Sequence, residues 1–262
     1  MGDRAQRRQS DLGHCLMDLV VAIARWLSDP AHWQGTEGIA ARLGEHLLLA
    51  AAALAIAGVI GLGAGIRIGH TGRGANVAVN LANLGRALPT LAVMAIVVPI
   101  TAGIDSELGF KVYPAIIGLV VLAVPPILVN AYTGISGVDR DMVEAGRAAG
   151  MTEGQVLRSV ELPLAAPVIF TGLRSATSQV IATATLAAIF GGPGLGRFLV
   201  DGYAQLDYPQ MWAGVILVAA LFAVVELAFA LLQRAITSPG VNSGYVLASP
   251  DHRSGTVRGE AA

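Results

Sequence analysis

Apolar residues run in long, nearly unbroken blocks along this chain, and polar residues gather between the blocks. Residues 47–66 (LLLAAAALAIAGVIGLGAGI), 112–135 (VYPAIIGLVVLAVPPILVNAYTGI) and 211–232 (MWAGVILVAALFAVVELAFALL) are each long and apolar enough to cross a bilayer as a helix, which takes about 20 residues. Residues 164–190 are also long enough and mostly apolar, with Thr and Ser interleaved. Residues 77–101 are weaker at their start, where Asn80, Asn83 and Arg86 interrupt them, and only 87–100 is strongly apolar. The pattern predicts five core transmembrane helices, the second with its first turns buried in protein or lying at the interface.

Composition supports this reading. Of 262 residues, 54% are hydrophobic and only 13% charged, against about 25% charged in soluble domains. The mean hydropathy is +0.64. Such a chain cannot solvate its own surface, so the expected class is an all-α integral membrane protein. A net charge of −1 implies no nucleic-acid partner. The single cysteine, Cys15, excludes an internal disulfide and a cysteine-built metal site. No metal or cofactor is expected.

Basic residues in short loops orient the bundle. Arg67 and Arg73 follow the first span, Arg140, Arg147 and Arg158 follow the third, and Arg234, Arg253 and Arg258 follow the fifth. The opposite side holds Lys111 and Arg197 with Asp105, Glu107, Asp201 and Asp207. The first three segments, and with them the C-terminus, are therefore expected in the cytoplasm. Five spans then leave the N-terminus outside, although Arg4, Arg7, Arg8, Arg25 and Arg42 lie there. Residues 15–27 read as an amphipathic helix on the membrane surface. The alternative is a sixth span over 15–34, which Asp18, Arg25, Asp29 and Pro30 make costly. The expected divisions are an interfacial segment 1–44, a membrane domain 45–235 and a disordered tail 236–262.

Between the third and fourth spans, residues 139–163 read DRDMVEAGRAAGMTEGQVLRSVELP. Asp139 or Asp141 can open a short helix, with its carboxylate at the positive end of the helix dipole. Gly150 suits the position just past that helix. Thr152 and Gln155 form a capping-box pattern for a second helix running to about Val160, and Pro163 suits the first turn of the next span. The result is helix, tight turn, helix on the cytoplasmic face.

This stretch resembles the signature loop of the integral membrane subunits of ATP-binding-cassette importers, written EAA, three residues, G, nine residues, I-x-L-P. Glu144, Ala145, Gly150, Leu162 and Pro163 match it, while Gly146 replaces the second Ala and Val160 replaces Ile. Arg86-Ala-Leu-Pro-Thr-Leu91, Asn130-Ala-Tyr-Thr-Gly-Ile135 and Gly191-Gly-Pro-Gly-Leu-Gly196 are similar to the subgroup that imports glycine betaine, choline, carnitine, proline betaine and related osmoprotectants. The resemblance covers roughly residues 45 to 235. It implies a type I importer permease fold in a bacterial cytoplasmic membrane, with Glu144, Ala145, Gly146, Gly150, Leu162 and Pro163 forming the contact that couples the chain to an ATPase. The implied partners are that ATPase subunit, a second permease subunit, similar or identical, and an extracytoplasmic solute-binding protein. The alternative within this class is a permease for another small zwitterion or amino-acid derivative.

The residues agree with a division of labour. Lys111 is the only lysine and fits no phosphate-binding loop, so the chain cannot hydrolyse ATP by that route. Five spans are few for a pathway inside one subunit, which favours a twofold dimer with the path between subunits.

Thr171, Ser175, Ser178, Ala182 and Thr185 form one stripe of the fourth span. The stripe reads either as helix packing or as a path lined with hydroxyls, with Gln179 and Thr183 near it. Asn130 and Tyr132 lie near the cytoplasmic end of the third span, where they serve as caps and anchors or touch substrate. Glu226 is an acid well inside an apolar span, either paired with another helix or functional. An ion-coupled secondary transporter would use such an acid, but would leave the 139–163 loop unexplained, and so would a non-transporting scaffold.

Overall fold

A computed structural model describes residues 16–105 and 107–236. The basic cluster Arg4–Arg8, Cys15 and the expected disordered tail beyond 236 lie outside the described residues. Among the described residues, helix α1 covers 16–28. It ends at Asp29, whose side chain accepts from Ala31 N at 2.9 Å and starts the 3-10 turn Pro30–Trp33. Residues 16–34 are therefore not one continuous helix. Trp26 stacks on His32 with centroids 4.1 Å apart and meets Phe198 edge-on at 5.5 Å. These contacts seat the end of α1 on the segment that follows the fourth span.

Helix α2 (Ile39–Thr71) begins six residues before the expected boundary at 45. The predicted second span is not one helix: α3 (Ala75–Ala87) and α4 (Thr90–Ala102) are separated at Leu88 and Pro89, both extended. A residue before proline is disfavoured in the helical region, and the break falls at Leu88. At 13 residues each, neither piece reaches the length of a straight crossing. A short turn of helix, α5 (Leu108–Lys111), leads into α6 (Tyr113–Ser136). Next come α7 (Arg140–Ala148) and α8 (Glu153–Val156), then a π-type turn over Leu157–Glu161 and α9 (Leu162–Thr183). Residues Ala184–Phe190 tighten to a 3-10 helix before α10 (Gly196–Gln205) and α11 (Tyr208–Ile236). Among the described residues there is no strand, and four helical stretches are long and apolar enough to span: Ile39–Thr71, Leu108–Ser136, Glu153–Phe190 and Tyr208–Gln233.

Helix α6 is the hub, and α2, α3, α4 and α9 all pack on it. Lipid tails are as apolar as leucine, so helix association in a membrane depends on close contact rather than on expulsion of water. The sequence meets this with small residues. A Cβ on Gly61 would lie 2.8 Å from Ile127 Cγ2, and one on Gly65 would lie 2.6 Å from the Leu128 carbonyl. Gly61 and Gly65 thus form the α2–α6 seam, with the buried Ala57 one turn before them. The buried core gathers Leu49, Ala53 and Ala57 from α2, Met94 from α4, Leu119 and Ile127 from α6, and Ala176 and Val180 from α9. By contrast, the most apolar window of α11 has no buried residue, and Val224, Leu227 and Leu231 are exposed. His46 holds the point where α9 tightens: its Nε2 lies 3.0 Å from the Ile181 carbonyl, and the ring is fully buried.

Candidate coupling site

The stretch 139–163 folds from local chemistry upward. Asp139, not Asp141, is the N-cap of α7, and its side chain accepts from Asp141 N at 2.9 Å. Gly150 sits at φ +84°, the left-handed region open to glycine. Its N–H bonds the Arg147 carbonyl at 2.9 Å, and Met151 N bonds that of Gly146 at 3.2 Å, so the turn satisfies the carbonyls left free at the end of α7. The Gln155 side-chain oxygen accepts from Thr152 N at 2.8 Å and starts α8. Arg147 closes the hairpin through two bonds to Glu153, Nε to Oε1 at 2.9 Å and Nη2 to Oε2 at 3.0 Å. That carboxylate holds the Arg147 guanidinium above its ordinary pKa.

The two helices share one small apolar seam. Val143, Gly146 and Val156 are buried, and a Cβ on Gly146 would meet Met151 Sδ at 3.3 Å. Gly146 thus packs closely under Met151, and it is where the chain departs from the alanine of the signature. Glu144 and Ala145 face outward, flanked by the exposed apolar side chains of Met142 and Met151. An acid beside two flexible apolar side chains, on a rigid hairpin, makes a surface suited to a protein partner.

The second helix of the loop does not stop near Val160. Residues 153–183 run without a break through the π-type turn into α9, with Leu162 half-buried and Pro163 exposed at its start. The π-type turn accommodates Pro163, which has no N–H to give to the ladder. Helix α8 and the span therefore form one continuous helix.

Asn130, Tyr132, Ser175, Ser178, Gln179 and Thr185, the leading candidates for a path, divide into separate settings. Asn130 turns its amide back to the Pro126 carbonyl at 2.7 Å, and its Cβ faces Gly172 across the α6–α9 seam. Tyr132 lines a cavity of about 430 Å³ with His70, Arg140 and Glu144. Gln179 donates to Ser175 Oγ at 3.1 Å. Thr185 donates to the Ala182 carbonyl at 2.8 Å, where α9 has given way to the 3-10 helix. Ser178 donates to its own helix, to Arg174 O at 3.0 Å, and to Glu226 of α11. The buried face of α9 is instead Ala165, Gly172, Ala176 and Val180, so the hydroxyl stripe is not the seam with α6.

Glu226 is paired. Arg174 donates to its Oε2 from Nε at 2.9 Å and from Nη2 at 2.6 Å, and to Gln233 from Nη1 at 3.0 Å. Sequence reasoning overlooked Arg174. The signal was an arginine in mid-span, which requires a partner at that depth. Gly191 and Gly194, at φ +72° and +108°, form a tight turn after the 3-10 helix, and Gly194 N donates to Glu45 at 2.9 Å.

A multi-pass helical bundle with an ordered helical hairpin between two of its spans fits the membrane component of a transporter. The chain belongs to the family described as "Binding-protein-dependent transport system inner membrane component", which matches residues 39–238. It is a permease, not an enzyme, and ATP hydrolysis falls to a separate subunit. It is 33% identical over 200 residues to the glycine betaine/carnitine/choline transport system permease protein OpuCB of Bacillus subtilis, covering 76% of this chain and 89% of the relative. The choline transport system permease protein OpuBB of the same organism is 34% identical, over 75% of this chain and 88% of that one. The osmoprotectant import permease protein OsmW of Salmonella typhimurium is 32% identical, over 75% and 91%. Among solved structures, a chain of the MetNI methionine ABC transporter in inward-facing form superposes with a TM-score of 0.68 at 24% identity, covering 80% of this chain and 100% of that one. At that identity the likeness establishes the type I importer fold alone.

Proposed function

We propose that this chain forms half of the path by which a small compatible solute, of the glycine betaine, choline, carnitine or proline betaine kind, enters a bacterial cell. The observation that carries the reading is the hairpin 139–163, with Glu144 outward on α7 and its second arm, α8, continuous with α9 as a lever. An ATPase subunit docks on that hairpin from the cytoplasm, its closure tilts α9, and the path between two permease subunits opens alternately to each side. A separate binding protein delivers the solute outside. The substrate class rests on relatives that carry glycine betaine, carnitine and choline in their names. Aromatic faces hold quaternary ammonium groups well, yet aromatic residues make up only 5% of this chain. That scarcity favours ligand selection by the binding protein and a weakly selective passage here.

The second permease is a similar or identical chain, and both place the C-terminus in the cytoplasm. The test is to purify the tagged chain from its native membrane in mild detergent and identify its companions by mass spectrometry. The isolated complex is then reconstituted and assayed for uptake of radiolabelled glycine betaine, choline, carnitine and proline betaine. Stoichiometric recovery of an ATPase and a second permease, with ATP-dependent uptake of one of these solutes, is the expected result. Recovery of the chain alone, with ATP-independent uptake driven by an ion gradient, would overturn it.

A further inference from the structure

We propose that His70 and Glu161 form a clasp that moves α2 together with the ATPase-facing hairpin, which makes them positioning residues for transport. The inference rests on the importer reading above. The two residues lie 91 positions apart, and His70 Nδ1 is 2.6 Å from Glu161 Oε2. Glu161 is only 5% exposed. A buried carboxylate is costly unless it is paired, and His70 is the partner it has among the described residues. The other ring nitrogen, Nε2, lies 3.5 Å from Glu153 Oε2. Glu153 is held in turn by Arg147 of α7, the helix that carries Glu144. A polar chain therefore runs from the last turn of α2, through the root of the lever, to the docking helix.

Three features make this more than a surface contact. Glu161 closes the π-type turn Leu157–Glu161, a conformation that is rare in helices and frequent at functional positions. The clasp is also the polar link between α2 and the 139–163 stretch among the described residues. Finally, α2 packs along much of α6, through Gly61, Gly65 and Gly69, so a pull on its cytoplasmic end reaches the hub of the bundle. Push on the hairpin and, with the clasp closed, α2 follows α9; without it, α9 tilts and α2 stays.

The test uses the whole complex in proteoliposomes and reads solute imported per ATP hydrolysed, with radiolabelled glycine betaine, choline and carnitine as probes. Glu161→Leu removes the carboxylate at similar side-chain volume, and His70→Ala removes the partner. Both are expected to co-purify with the ATPase and hydrolyse ATP while solute per ATP falls about fivefold or more, the low end of typical coupling energies. The double variant should be no worse than either single one, since both remove one interaction. In a Cys15→Ser background, His70→Cys with Glu161→Cys should show the same loss, and a short bis-thiol cross-linker should restore the ratio. An unchanged ratio in both single variants would overturn the clasp, as would a cross-linked protein that stays uncoupled. No uptake by the wild-type complex would instead overturn the importer reading and the clasp with it.

Discussion

Arg174 and Glu226 bind α9 to α11 through a two-pronged contact, the shorter at 2.6 Å, at a depth where neither charge would stand alone. Ser178 and Gln233 complete the group. The arrangement reads as a structural tie and leaves no free acid for ion coupling at this position. Glu226→Gln keeps hydrogen bonds to both partners and should retain most uptake. Its cost should be about 1 kcal/mol, the scale of an interhelical hydrogen bond in a membrane, seen as a small drop in the detergent melting temperature. Arg174→Ala strands the carboxylate and should lower expression and melting temperature further. A large loss of transport by Glu226→Gln at normal membrane levels would show that the acid acts in transport itself.

At the α2–α6 seam, a side chain on Gly65 would meet the Leu128 backbone, which cannot step aside as a flexible side chain can. Gly65→Val should cost at least about 1–3 kcal/mol, the usual range for overpacking, and should sharply reduce the amount of folded protein in the membrane. Gly63 has open space around its Cβ position, so Gly63→Val is the matched control and should accumulate normally. Equal membrane levels for the two variants, measured by quantitative immunoblot, would contradict the seam.

The long apolar blocks and the hairpin were legible in the sequence because each is written in local terms: apolar length, an aspartate cap, a glycine past a helix end, Thr152 with Gln155. The break at Leu88–Pro89 carried its own local signal, a residue before proline, but the apolar run across it predicted continuity. Fusion of the hairpin with α9 was hidden because Pro163 suits both a helix start and a π-type turn. The tertiary pairs were not readable at all. Arg174 and Glu226 are 52 positions apart, and His70 and Glu161 are 91 apart. Nothing in either local sequence names its partner; only the packing of α9 against α11 and of α2 against α6 brings them together.

Gly150 tests whether the hairpin must be rigid. At φ +84°, a β-branched side chain is strained by about 1–2 kcal/mol. Gly150→Val should leave the bundle folded, since no atom lies near its Cβ position, yet disorder the turn between α7 and α8. Uptake should fall several-fold at unchanged membrane level. Uptake equal to wild type would mean that the turn geometry does not matter to coupling.

The central claim is that the 139–163 hairpin transmits the work of an ATPase, and Glu144 is its outward acid. The most direct measurement compares wild type and Glu144→Arg for ATP-dependent solute uptake, with membrane abundance and ATPase co-purification followed in the same samples. The account predicts normal abundance, a weakened ATPase contact and uptake reduced to background. Normal uptake by Glu144→Arg would contradict it.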